Sequence, residues 1–164
     1  MLNVTSIAGN IFSDKGLAKK YKRAKAVGEC ERLLISRMEM ERLRLRRRTD
    51  KGSDIGLVLE PGRKLNHGDI LDAGKLIIVE QIPEKVIKTR VKKGDIDKMI
   101  GLAALIGHTI GNRHRPMAFD NGAIIFPIQT DSEVDAFRKL LPAGAKLEVK
   151  ERVFIPISEV HAHG

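Results

Sequence analysis

Leu43-Arg44-Leu45-Arg46 alternates apolar and charged positions, the two-residue period of a strand that buries one face and solvates the other. Leu33 to Ile35 reads as the strand before it. Ile55 to Leu59 and Leu76 to Glu80 read as strands after it. Asp50-Lys51-Gly52, Glu60-Pro61-Gly62 and Asn66-His67-Gly68-Asp69 separate these runs with turn-forming residues, and His67 reads as a turn residue. Short strands between polar turns predict a small β domain ending near residues 81–84. The first 28 residues are patterned less clearly. Lys15 to Lys25 reads either as a short basic helix carrying Leu17, Ala18 and Tyr21 or as a mobile arm.

The rhythm then changes. Val86 to Val91 predicts a strand, followed by a turn at Lys93-Gly94-Asp95 with Asp95 as an N-cap. Met99, Ile100, Ala103, Ala104, Ile106 and Ile110 recur at helical spacing and predict a helix with a broad buried face. Met117 to Phe119 and Ala123 to Ile128 flank Asp120-Asn121-Gly122, a hairpin signal. Asp131 or Ser132 opens a second helix through Leu141, with Val134, Phe137, Leu140 and Leu141 on one side. Leu147 to Arg152 is the last strand. The order βαββαβ is that of a ferredoxin-like fold. The expected architecture is α+β: an N-terminal β-rich domain over 1–83, a ferredoxin-like domain over 84–152, and a tail over 153–164.

Charge adds one thing to this picture. The net charge is +9, and residues 15–51 alone hold fourteen Lys and Arg against five acids; the rest of the chain balances sixteen against sixteen. Such a block attracts nucleic acid, acidic protein surfaces or anionic lipid, or it is simply a solvated face. The single cysteine, Cys30, excludes an internal disulfide and suits a reducing compartment. No apolar run approaches the roughly 20 residues that span a membrane. Asn3, Asn10 and Asp14 interrupt any N-terminal signal sequence. The expected location is cytoplasmic, with no membrane partner.

Candidate chemistry is confined to histidines. Gly107 to Pro116 follows the apolar helix, and Gly111 is suited to the left-handed conformation that ends a helix. His114 would then stand on the exit loop, as a solvated histidine or as a metal ligand. His161 and His163 form an HxH tail, which is a flexible chelator, an ordinary polar terminus or a tag remnant. Three imidazoles fall short of a closed four-ligand site, but two chains sharing one ion complete it. An enzyme is not expected: no nucleophile has a base, and no phosphate-cradling glycine loop, HExxH or CxxC is present. The alternative is a basic ferredoxin-like RNA-binding module, but Phe119 and Phe126 are the only aromatic residues on its central strands.

Ile110-Gly111-Asn112-Arg113-His114, ahead of Arg115-Pro116, resembles the signature of the UreE family of urease accessory metallochaperones. Arg42 to Gly52, Leu57 to Gly62, and Leu65 through Asp69-Ile70-Leu71 follow that family's first domain in the same order, so the likeness covers about residues 31–164. The resemblance implies a partner-binding-like first domain and a ferredoxin-like metal-binding domain. It also implies a homodimer that carries Ni2+ to urease, with the urease apoprotein and accessory proteins including the GTPase UreG as partners, and with no specific nucleic acid. His114 of two subunits would hold one ion near the two-fold axis, with His161 and His163 completing its coordination. Imidazole also accepts Zn2+ and Cu2+ at the same site. Two departures stand out. The tail has two histidines rather than a long histidine-rich run, which disfavours storage of many ions. Thr109 stands where some relatives have histidine, and His108 beside it is not assigned as a ligand.

Overall fold

The structure is a computed structural model that describes residues 1–157. The chain divides into two compact units, Met1–Ile82 and Pro83–Gly164.

The first unit runs β1 (Leu2–Val4), β2 (Ile7–Asn10), α1 (Lys15–Ala26), β3 (Glu31–Ile35), α2 (Arg37–Met40), β4 (Arg44–Arg48), β5 (Asp54–Val58), β6 (Asp69–Asp72) and β7 (Leu76–Gln81). Two sheets form, ordered β1-β5-β4 and β2-β6-β7-β3. In the first, β4 turns back antiparallel on β5 and β1 joins β5 in parallel. In the second, β3 lies parallel to β7. Alternation works as expected in β3, where Glu31, Leu33 and Ile35 are buried and Arg32 and Leu34 are exposed. Leu45 is the one buried side chain of β4, and it joins Val4, Leu33, Ile55, Leu57 and Ile77 in an aliphatic core.

Residues 15–26 are helical. Asp14 Oδ1 accepts from the amides of Gly16 and Leu17 at 2.8 and 3.0 Å, satisfying two of the donors a helix start leaves open. Beneath this helix lies Cys30, packed with Ile70 and Ile78 and flanked by Tyr21 and Ala24. Burial pushes its thiol pKa up, so it behaves as a small core residue. Two strands at the N-terminus, β1 and β2, and the short β6 were not foreseen: each has only three or four residues, and β1 and β2 pair with strands remote in sequence. His67 is more than a turn residue. Its Nδ1 accepts the Gln81 amide at 3.1 Å and its ring stacks on Phe12 with centroids 5.6 Å apart. Gly68, at φ 89°, lets Phe12 approach, since a Cβ there would stand 2.5 Å from the ring.

The second unit runs β8 (Glu84–Val91), α3 (Ile96–Asn112), β9 (Ala118–Asp120), β10 (Ala123–Pro127), α4 (Ser132–Leu140) and β11 (Ala145–Arg152). Its sheet order is β11-β8-β10-β9, with every neighbouring pair antiparallel. Two βαβ crossovers giving the order 4-1-3-2 make this a ferredoxin-like unit. Asn121 and Gly122 take φ of 47° and 73°, the two positive values that a two-residue hairpin turn requires. Phe126 and Phe137 meet at 4.6 Å between ring centres and anchor the core between sheet and helices.

Three details differ from the sequence reading. Asp95 occupies the N-cap position of α3 without a side-chain capping bond. Only Ile106 and Ile110 of that helix are fully buried, while Ile96, Ile100 and Leu105 are 70%, 61% and 55% exposed. Residues 153–157, expected as the start of a tail, are anchored at Phe154 and cross the surface with Ile155 and Ile157 exposed. Phe154 is buried against Val86 and Ile125, and the Ile157 amide donates to the Met117 carbonyl at 2.8 Å.

Candidate metal centre

The exit of α3 is built from hydrogen bonds that fix its path. The His114 amide donates to the Gly111 carbonyl at 2.9 Å, and the Arg115 amide reaches back to the Ile110 carbonyl at 3.3 Å. These are the two bonds of a Schellman closure, in which the residue after the C-cap turns left-handed. That residue is His114, at φ 52°, and not Gly111, which stays helical. The expectation for Gly111 was therefore three positions early. Arg113 is the C-cap, so the helix runs through Asn112 before it closes. Histidine tolerates the left-handed region better than most side chains, yet any Cβ there is disfavoured relative to glycine.

The loop is pinned beyond this turn. The Arg115 guanidinium forms a half-buried ion pair with Glu133 at the start of α4. The other carboxylate oxygen of Glu133 accepts the Gln129 amide at 2.5 Å. Pro116 then prevents the helix from resuming. His114 is exposed between these two anchors. Its neighbours supply no second ligand. Asn112 Nδ2 donates to His108 Nε2 at 2.8 Å, which holds both side chains along the helix. Arg113 is exposed and carries a fixed positive charge. Among the described residues, no group of three or more His, Cys, Asp and Glu side chains is arranged to hold a metal ion. His161 and His163 lie outside the described residues.

Sequence reading missed the apolar face beside this loop. Ile96, Ile100, Ala104 and Gly111 are exposed, and at 100° per residue they fall within an arc of about 80° on α3. The signal was available: apolar and small residues run around too much of the helix for a single buried stripe. Gly107 and Gly111 have a further property. A Cβ at either would meet nothing within 4 Å among the described residues. Each glycine costs a helix interior about 1 kcal/mol relative to alanine, and no contact among the described residues requires one here.

The sheet of this unit bears on the RNA-binding alternative. Phe126 is fully buried against Phe137 and β9, which carries Phe119, is an edge strand. On the far side of the sheet, Phe154 covers Val86 and Ile125. The central strands thus present no aromatic platform for stacking bases among the described residues.

Comparison with known proteins agrees with this architecture. The UreE urease accessory protein N-terminal domain family matches residues 4–80. The chain is 27% identical over 138 residues to the urease accessory protein UreE of Natronomonas pharaonis, covering 82% of this chain and 63% of the relative. It is 37% identical over 79 residues to the UreE of Bacillus cereus, covering 47% and 48%. These alignments thus span less than two thirds of both relatives. A longer one, 28% identical over 145 residues, covers 87% of this chain and 93% of urease accessory protein UreE 1 of Pseudomonas syringae pv. tomato. The chain is thus similar to UreE urease accessory proteins, matching that family's N-terminal domain over residues 4–80 and its named members over most of its length.

Proposed function

We propose that the protein is a homodimeric metallochaperone that carries nickel for assembly of the urease metallocentre. The observation that carries this reading is His114, exposed at a left-handed helix exit that is held on both sides by backbone and ion-pair contacts. A ligand whose backbone is held before the ion arrives loses less freedom on binding. One such imidazole per chain is too few for a stable site, and a second copy across a two-fold axis supplies its equivalent. The apolar face of α3 supports that arrangement, because it ends at His114 and its open glycines admit a close neighbour.

His161 and His163 complete the coordination in this proposal. Ile157 is tied to Met117, three residues beyond His114. His161 lies four residue steps beyond Ile157, a reach of at most about 14 Å. Tail imidazoles can therefore come to the ion without disturbing the domain. Exposed and exchangeable ligands suit a carrier, since they hold nickel at neutral pH and yield it to a more enclosed site. Zn2+ and Cu2+ compete for the same donors. The partners in this reading are the urease apoprotein and the accessory proteins including the GTPase UreG, and the protein works in the cytoplasm. No helix among the described residues is long and apolar enough to cross a membrane.

Nickel titration by calorimetry, with mass measured by light scattering, tests the proposal. One tight ion per two chains in the wild type, absent from His114→Ala, is the expected result. A monomer binding one tight ion per chain contradicts it.

A further inference from the structure

The basic helix α1 has no role in the metal reading. It carries Lys15, Lys19, Lys20, Lys22, Arg23 and Lys25 and no acid. Lys19 stands one turn from both Lys15 and Arg23, and like charges at that spacing weaken a helix. Local stability alone does not favour this composition. Among the described residues, Lys19, Lys20 and Arg23 have neither an ion pair nor a side-chain hydrogen bond, and all three are exposed.

These three cations line an open cavity of about 760 Å³ between α1 and the start of β7. Its other walls include Val27 and Leu76, with Glu29 as its acid. Val27 is 68% exposed, an apolar side chain left at the mouth of a basic cavity. The ammonium of Lys75, which also lines the cavity, is already bonded to Glu31 and Ser53. Free cations and an apolar wall thus occur side by side.

We propose that this cavity docks an acidic segment of a partner protein, with carboxylates on Lys19, Lys20 and Arg23 and an apolar side chain against Val27 and Leu76. Three kinds of partner carry negative charge, and the walls separate them. A nucleic acid would gain from aromatic rings for its bases, and none lines the cavity. A membrane surface would need a free apolar helix face, but Leu17, Tyr21 and Ala24 are half-buried, the latter two against the core around Cys30. An acidic peptide with an embedded leucine uses both the charge and the apolar wall.

The test uses the full chain and a fluorescent peptide alternating Asp and Glu around two central leucines. Binding is followed by anisotropy near physiological salt. Lys19→Glu/Arg23→Glu should weaken binding at least tenfold, whereas Arg44→Glu/Arg48→Glu, with the same change in net charge on β4, should leave it within twofold. Val27→Ser should weaken this peptide and leave a serine-for-leucine peptide unchanged. Circular dichroism checks that α1 persists, and nickel stoichiometry should be the same in all variants. Equal loss in the β4 variant means nonspecific charge attraction and overturns the proposal. So does tighter, α1-dependent binding of single-stranded RNA or of phosphatidylserine vesicles, or no peptide binding at all.

Discussion

The amide of His114 donates to the carbonyl of Gly111 at 2.9 Å, so the proposed ligand is also the residue that closes α3. A histidine at φ 52° holds a conformation that glycine would adopt with less strain. The fold gains nothing from its Cβ, and this separates stability from binding. His114→Gly should keep or raise the melting temperature, by up to about 1 kcal/mol in stability, while abolishing tight nickel binding. His114→Ala should also lose binding but gain no stability. Thermal melts alongside nickel titration check both. A marked loss of stability in His114→Gly would make the imidazole structural.

The ion pair between Arg115 and Glu133 fixes the loop from the other side. Glu133 also receives the amides of Gln129 and Thr130, so its removal affects the start of α4 as well. Glu133→Ala should cost about 1–2 kcal/mol, in the range for bonds to a charged group that is partly screened. Nickel affinity should fall a few-fold with stoichiometry unchanged, because Glu133 positions the loop and binds no metal. Loss of stoichiometry in this variant would argue for a direct role.

The glycines of α3 give a prediction with opposite signs for chain and dimer. Gly107→Ala/Gly111→Ala places two methyl groups in space that is open in the single chain. Helix propensity should then favour the variant by about 1 kcal/mol per site. If a second copy packs closely on this face, the same methyl groups hold the helices apart. Light scattering across a dilution series should show a weaker dimer, and nickel affinity should fall with it. A dimer as tight as wild type would place the interface elsewhere.

How much of this could be read in the sequence depends on where the determining contacts lie. The ferredoxin-like order was legible because its helices and long strands carry strong local periods, and Asp120-Asn121-Gly122 marks a hairpin by itself. β1 and β2 were not, since Val4 is a core residue only because β5 comes to lie beside it from more than fifty positions away. The motif histidine was legible as a candidate, yet its left-handed closure was assigned to Gly111. Glycine is the usual residue there, and the identity of the C-cap rests on bonds to Ile110 and Gly111 that the sequence does not display. The burial of α3 was overestimated for a related reason. Periodicity finds apolar positions, but it does not say which of them meet the chain's own sheet.

Acid should act mainly on the first unit. Glu39 and Asp50 are held below their ordinary pKa of 4.5 and 3.8, chiefly by bonds to the Ser36 and Arg32 backbone. Glu31 is also lowered, against the opposing effect of its burial, by its bonds to Lys75 and Thr49. These groups bind fewer protons folded than unfolded, so stability rises with pH. Their contribution is complete above the ordinary values and is lost as pH falls through the lowered ones. Asp69 opposes the trend, because burial raises its pKa. Urea melts at pH 7, 4 and 2.5 should show falling midpoints, with most of the loss below about 4.5. A midpoint that rose on acidification would mean that Asp69 outweighs the other three.

The last prediction concerns the division of work between His114 and the tail. His114 is placed before metal binds, by two backbone bonds and the anchors on either side. Nearer the C-terminus, the Ile157 amide is bonded to the Met117 carbonyl and Phe154 is buried. Holding His161 and His163 on the ion in this proposal fixes the backbone that carries them, at about 1–2 kcal/mol per fixed residue. Much of what the tail imidazoles gain in coordination is cancelled by that ordering. Deleting residues 158–164 should therefore weaken nickel binding by about tenfold to a hundredfold, or ~1.4–2.8 kcal/mol, and leave the dimer intact. His114→Ala should remove the tight site altogether. Calorimetric titration of both variants at one pH and ionic strength decides the matter. Normal binding by His114→Ala together with none by the truncated chain would transfer the central role to the tail.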